Sequence, residues 1–433
     1  MSSQGSTTRP EWSWAIYDWA NSAFATTVIA GFFPIFFKSF WSTGVDPSVS
    51  TFRLGLGNSS ASLIVFLFAP LLGLVADLKH NHVRLLSAFA LFGIACTLGL
   101  SAIAKDQWLI AIGVYALAIL GFSGANVFYD ALLPRITPAD QQHRLSALGF
   151  AMGYLGGGVL FLINVIMTLK PTWFGLADAA EAVRWSFASV ALWWLVFMLP
   201  IMRLKPAPIT NNAKDQPSLT LKGAYKGPLR TLGKIRKSKN LWWFLLAYWF
   251  YIDGLATIIR MAVDFGLSIG LPSTSLIVAL LIVQFVGFPA TLVFGKIAKR
   301  FGARTGLWIG LSTYVIATTC AAFMSTVAEF YALAVALGLV QGGVQSLSRS
   351  MFSQLIPKEN SGEYFGFLNM LGKSAAIVGP VLVGVVNVLT GNPRIGLLSI
   401  ITLFVVGMWF LRKVDEPDPN TLINENEQHQ FND

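Results

Sequence analysis

The 433-residue sequence predicts an all-α membrane protein, with twelve transmembrane helices in two pseudo-symmetric six-helix bundles. Three observations predict it. The chain is 55% hydrophobic and 12% charged, with a mean hydropathy of +0.62, whereas soluble domains carry about 25% charged residues. Runs of about 20 apolar residues, each long enough to cross a bilayer, follow one another between polar breaks. Finally, marks recur about 220 residues apart, as expected of parallel repeats related by an axis along the membrane normal. GLVADLKHNHVR, from Gly73 to Arg84, is answered by GKIAKRFGAR, from Gly295 to Arg304. YDALLP, closing at Pro134, is answered by FSQLIP, closing at Pro357, and Gly149-Phe150 by Gly366-Phe367.

In order, the apolar runs cover 12–40, 55–78, 83–104, 108–133, 145–169, 184–203, 241–267, 275–297, 304–325, 329–355, 363–389 and 394–412. They predict a first bundle over 1–203, a cytoplasmic linker over 204–240, a second bundle over 241–412 and a disordered cytoplasmic tail over 413–433. The linker holds Pro206, Pro208 and Pro217 and then Lys234, Arg236, Lys237 and Lys239; the tail is polar and acidic. Tryptophans such as Trp12, Trp41, Trp108 and Trp242 fall near run ends, where interfacial aromatics gather. The first ten residues are polar and carry no cleavable-signal pattern, so the first run reads as an uncleaved signal anchor.

The net charge of +10 would suggest nucleic acid in a soluble protein. Here the basic residues sit in loops, and nucleic acid is not expected as a partner. Lys79, Arg84, Arg135, Arg144, Lys296, Lys299, Arg300, Arg304, Lys358 and the 203–239 segment fall on one side. The other side gets Lys38, Arg53, Lys105, Lys170, Arg184 and Arg394. The positive-inside rule then places both termini in the cytoplasm; a bacterial inner membrane is the location expected from the family resemblance given below. Cys96 and Cys320 lie inside apolar runs and read as small hydrophobes, and the four histidines lie outside the runs. Neither set suggests a disulfide, a zinc site or a cofactor.

Charges inside apolar runs need a reason, because a carboxylate at mid-bilayer costs about 2.5–3.5 kcal/mol on insertion scales. Asp18 and Asn21 stand well inside the run Trp12–Phe37. Either the helix end lies deeper than drawn and Asp18 is wetted at the interface, or both face a cavity. Asp253 lies roughly 16 Å past Trp242, near the bilayer middle, and is the first candidate for ion coupling, with Asp18 second. Asn126 and Asp130 are i, i+4 on span 4. Arg349 stands eight residues before Pro357, as Asn126 does before Pro134. It suits an anionic or zwitterionic substrate, or alternatively an Arg349–Asp130 ion pair holding the halves. Gln345, Asn369 and Lys373 complete the substrate and coupling set, with Lys373 either snorkelling or facing a cavity. Arg260 and Asp264, i, i+4 near the outer end, are a gating or structural pair. GFLNMLGKS, Gly366–Ser374, has five residues between its glycines and lies in a spanning run, so it is no phosphate loop. With no enzyme constellation, an ion gradient is the expected energy source.

The short basic loop after GxxxD between spans 2 and 3, with its degenerate copy between spans 8 and 9, resembles the major facilitator superfamily. YDWANSAF at Tyr17–Phe24, NVFYDALLP at Asn126–Pro134, YIDG at Tyr251–Gly254 and QSLSRSMFSQLIP at Gln345–Pro357 look like its autophagy-related vacuolar effluxer branch. The resemblance implies the superfamily's fold over the whole chain and, from fungal members, amino-acid efflux. It also implies a conformational latch from Gly73, Asp77 and Arg84, in which Asp77 meets the N-terminus of span 11. Lys299 occupies the matching place in the second half, so one electrostatic latch is expected rather than two. The glycines of span 5, from Gly149 to Gly158, resemble an exporter motif, with Tyr154 where that motif has proline; they read mainly as close packing. The expected function is a monomeric secondary transporter of a small polar or zwitterionic solute. Amino acids come first, with a lean toward export and a proton or sodium ion as partner. The alternatives are an amphiphile or lysolipid carrier, and a membrane receptor or scaffold that kept the fold without transport.

Overall fold

The computed structural model of the protein describes residues 7–79, 81–204, 231–268 and 270–416. Among these, twelve long helices follow in order: α1 Arg9–Trp41, α2 Pro47–Lys79, α3 His82–Leu100, α4 Trp108–Ile136, α5 Gln142–Leu169, α6 Ala179–Met202, α7 Lys239–Ser268, α8 Ser273–Phe301, α9 Ala303–Ala321, α10 Val327–Leu355, α11 Ser361–Thr390 and α12 Pro393–Leu411. Eleven of them are long and apolar enough to cross a membrane; the other is α9, which opens on the polar residues Arg304 and Thr305. Most of the expected linker, and nearly all of the expected tail, lie outside the described residues.

Most helices outrun their apolar runs at one end or both, while α3 and α9 stop at Leu100 and Ala321, short of 104 and 325. α2 begins at Pro47 rather than at 55, and α8 continues to Phe301 rather than 297. A helix satisfies its own backbone, so it continues into water past the last apolar residue until a cap stops it. His82 and His143, expected outside the spans, therefore sit on the first turns of α3 and α5. Two starts carry a reciprocal capping box, and Asp178 and Asn392 cap α6 and α12 with a side-chain oxygen alone. Thr8 and Glu11 exchange backbone–side-chain hydrogen bonds at the head of α1, and Thr326 and Glu329 do so at the head of α10. Glu11 is buried besides, accepting from Thr137 at 2.7 Å and Arg144 at 3.1 Å, which fastens α1 to the ends of α4 and α5. Within α1 the winding widens to i→i+5 over Phe24–Phe32 and Phe37–Trp41.

Each half has its own apolar core. Trp14, Phe24, Phe33, Tyr115 and Trp194 belong to the first, and Phe244, Tyr251, Tyr314, Phe352 and Phe404 to the second. The halves meet along two seams, α2 on α11 and α5 on α8, which the internal repeat relates to each other, with α4 and α10 between them. The first seam is close. A Cβ on Gly73 would land on the carbonyl of Gly362, and one on Gly366 on the carbonyl of Ala69. At the opposite seam Gly295 faces Ala147, while Gly153, Gly156 and Gly157 let α5 approach α1.

After α12 the chain crosses back over the second half. Asn240 and the backbone of Asp415 exchange two hydrogen bonds of 2.8 Å. The Glu416 carboxylate then accepts the backbone N–H groups of Ala303 and Arg304 at the head of α9.

Gly73→Ala is expected to destabilise the protein by about 1–3 kcal/mol, because backbone on the facing helix cannot yield as a side chain can. Gly113→Ala, inside α4 where an added methyl meets open space, should leave stability unchanged or raise it by up to about 1 kcal/mol. Thermal melting of the two purified variants checks the contrast.

Candidate functional site

A cavity of about 470 Å³ lies between the halves, within the range of small-molecule sites. Its walls are apolar on one flank, including Ile29, Ile259, Leu276, Val283 and Phe330, and polar at the other end. Asp18, Asn21, Asn126, Asp130, Gln345, Arg349 and Asn369 all line it. Seven of the residues singled out by their polarity inside apolar runs thus come together.

The polar end is built around Arg349, buried on α10. Its Nη1 lies 3.2 Å from Asp130 Oδ1 and 3.6 Å from Asp18 Oδ2. Nε donates to the Ser146 hydroxyl at 2.9 Å, and Nη2 to the Ser146 carbonyl at 3.0 Å. The ring centres of Phe150, Trp14 and Tyr129 lie 4.2, 4.6 and 5.3 Å from the guanidinium carbon, so the cation rests among aromatic faces. The carboxylates have further partners. Tyr129 Oη donates to Asp18 at 3.1 Å, and Asn369 Nδ2 to Asp130 at 3.4 Å. Asn21 donates to Asn126 at 2.7 Å, and Tyr154, at the exporter motif's proline position, donates to Gln345 at 3.4 Å. Gln284 on α8 donates to Thr26 on α1 across the same cavity. The arrangement can hold a charged or zwitterionic solute, because it offers both signs of charge beside neutral amides.

Asp253 and Lys373 are not among the residues that line this cavity. Asp253 is buried on α7 and accepts the Gly379 N–H of α11 with both oxygens, at 3.1 and 2.9 Å. Gly379 precedes Pro380, which has no N–H, so the carboxylate meets α11 at an interruption of its hydrogen-bond ladder. Lys373 is half-buried on α11. Arg260 and Asp264 belong to α7, but their side chains lie outside the described residues.

At the end of the bundle where α2 finishes and α11 begins, Asp77 is buried against the α11 N-terminus. It accepts the N–H groups of Gly362 at 3.1 Å and Glu363 at 2.8 Å. Such donors are the free amides of a helix start, aligned with its dipole. Arg135 Nη2 is 2.8 Å from the same carboxylate, and His82 Nε2 is 2.9 Å away. Arg135 also donates to the Ser361 hydroxyl and the Glu359 carbonyl, so it crosses the seam too. Gly73 provides the close approach, while Arg84 and Lys299 are exposed. His143 with Ser350 and Gln354 with the Ala139 carbonyl, each at 2.7 Å, clasp the same end where α10 meets the head of α5, beside the other seam.

Sequence reasoning missed Trp14, Tyr129, Ser146 and Phe150, whose types are ordinary in an apolar run. It counted Arg135 only as a loop cation; its place directly after Pro134, at the end of an apolar run, gave no hint of a role across the seam.

Twelve helices in two halves around a central polar cavity are the build of a major facilitator superfamily transporter. The chain matches the human organic anion transporter MFSD10 (TETRAN) with a TM-score of 0.71 and 16% identity, covering 94% of this chain and 100% of that one. It matches the transporter FucP in its outward conformation with a TM-score of 0.68 and 14% identity, covering 94% and 98%. The chain belongs to the vacuole effluxer Atg22-like family, whose model matches residues 43–418. The MFS-type transporter YxiO of Bacillus subtilis (strain 168) is 38% identical over 411 residues, 94% of this chain and 95% of that protein. Autophagy-related protein 22 of Cryptococcus neoformans var. neoformans serotype D (strain B-3501A) is 27% identical over 312 residues, 67% of this chain and 55% of that protein. The protein is an integral membrane transporter of a small molecule.

Asp77→Asn removes the charge from four donors and should loosen the clasped end, whereas Lys299→Ala should leave it shut. Spin-label distances across that end check this; equal effects of the two changes would contradict it.

Proposed function

We propose that the protein is a secondary active transporter that moves a small zwitterionic solute, amino acids being the first class, by ion-coupled alternating access. The observation that carries this reading is the cavity between the halves, with a buried Asp18–Asp130–Arg349 cluster drawn from both. The halves, 1–203 and 241–412, rock about the cavity, and the contacts of Asp77 and Arg349 must break for the clasped end to open. That end is cytoplasmic, with both termini, in a bacterial inner membrane, and the protein works as a monomer. The glycines of α5 and the effluxer family support export.

One guanidinium faces two carboxylates, so a further positive charge completes the cluster. A proton or a sodium ion held by carboxylate and amide oxygens would supply it. Coupling then belongs to Asp18 and Asp130, which face the cavity, ahead of Asp253, which faces α11. The apolar flank suits the side chain of an apolar amino acid. It equally suits an amphiphile, the second reading, which inhibition of amino-acid flux by added lysolipid would favour.

In proteoliposomes, Asp18→Asn and Asp130→Asn are each expected to lower gradient-driven accumulation at least about tenfold while exchange without a gradient persists, since exchange needs the motion but no net ion movement. Asp253→Asn should still accumulate substrate but lose about 1–3 kcal/mol of stability, having weakened a buried charged hydrogen bond. Full accumulation by both Asp18→Asn and Asp130→Asn would refute ion coupling at the cluster.

A further inference from the structure

We propose that the box around Arg349 is an organic-cation site, which the Arg349 guanidinium and the cationic group of the cargo occupy in turn. This rests on the transport reading above and names the group of the solute that is recognised and where.

Every partner described for the guanidinium comes from the first six helices: Trp14 and Asp18 on α1, Tyr129 and Asp130 on α4, Ser146 and Phe150 on α5. Arg349 itself stands on α10, in the other half. It is a plug from one half in a socket of the other. The socket's chemistry, aromatic faces plus two carboxylates, is what binds guanidinium and alkylammonium groups generally.

Parting of the halves at the clasped end withdraws the plug. The two carboxylates would then lack the guanidinium's charge, and a buried pair that loses one partner is strongly destabilised. A cation arriving from the cavity removes that obstacle, and the way is short, because Asp18, Tyr129, Asp130 and Phe150 all line the cavity. The anionic end of a solute meets the opposite situation. Three of the five Arg349 N–H groups already donate to Asp130 and Ser146. Asp130 and Asp18 lie 3.2 and 3.6 Å from Nη1, so they repel a cargo carboxylate until the guanidinium has left its socket. Cargo ammonium into the socket, and cargo carboxylate onto the freed Arg349, is the exchange that favours a zwitterion over either charge alone.

The test uses the full chain in nanodiscs, with n-butylguanidinium, n-butylammonium and butyrate as probes. Labels are placed through Asp140→Cys and Lys299→Cys, exposed positions on either side of the clasped end, with Cys96 and Cys320 replaced by serine. Both cationic probes are expected to enlarge the long-distance population saturably, and butyrate to leave it unchanged. An unchanged distance at saturating n-butylguanidinium would overturn the inference. In Arg349→Ala the internal competitor is gone, so half-saturation of thermal stabilisation by n-butylguanidinium should fall about tenfold, equivalent to 1.4 kcal/mol; equal values in variant and wild type would overturn it. If Arg349→Ala does not fold, Arg349→Lys, which keeps the charge but loses the fork, should show a smaller fall in the same direction, and no fall would again overturn it. Exchange at the socket without amino-acid flux in proteoliposomes supports the site and sinks the transport reading. Flux with the socket unresponsive to both cations sinks this inference alone.

Discussion

A single guanidinium set among two carboxylates across the seam between the halves is the constraint to which the rest of the protein answers. In a low-dielectric interior neither sign of charge can be stranded. The first-half helices that form the carboxylate side of the cluster are accordingly held in register with one another. α1 is pinned at its head by the capping box and by the hold of Thr137 and Arg144 on Glu11. α5 lies close against α1 through Gly153, Gly156 and Gly157, and so brings Ser146 beneath the guanidinium. The aromatic packing of Trp14 on Tyr129, with ring centres 4.4 Å apart, fixes two walls of the same box.

The clasp at the end of α2 works by different means from the cluster. Its acceptors and donors are a carboxylate and the free amides of a helix start, which need no side-chain partner and are present whenever α11 is folded. The two seams are related by the repeat but not by charge. The first has Asp77 with Arg135 and His82, and beside the second stand neutral pairs such as His143 with Ser350. A cation at the place of Asp77 has no favourable site at a helix N-terminus, and Lys299 accordingly points to water. Electrostatic holding is concentrated on one seam, and packing with neutral hydrogen bonds serves the other.

Hydropathy and the recurring marks near residues 73 and 295, 134 and 357 make the helices and the two halves readable in the sequence. Helix ends were less so, because hydropathy reports where lipid stops and not where a backbone is capped. In the site, Asp18, Asp130 and Arg349 stood out because charge inside an apolar run is conspicuous. Their companions Trp14, Tyr129 and Phe150 did not, since aromatic residues fill these spans everywhere. Asp253 shows a different limit. Counting residues along α7 gives its depth, but depth does not say whether a side chain faces the cavity or a neighbouring helix, and Asp253 faces Gly379.

The return of the chain over α7 and α9 bears on how this protein can be handled. Glu416 supplies a carboxylate to the head of α9, the one long described helix without an apolar stretch long enough to cross a membrane, and Asp415 is tied to Asn240 at the head of α7. A purification tag or fluorescent fusion joined beyond Glu416 leaves both ties in place. Trimming the chain to the end of α12 would strip a short helix of its cap, and the damage would surface as poor yield in the membrane fraction rather than as altered selectivity.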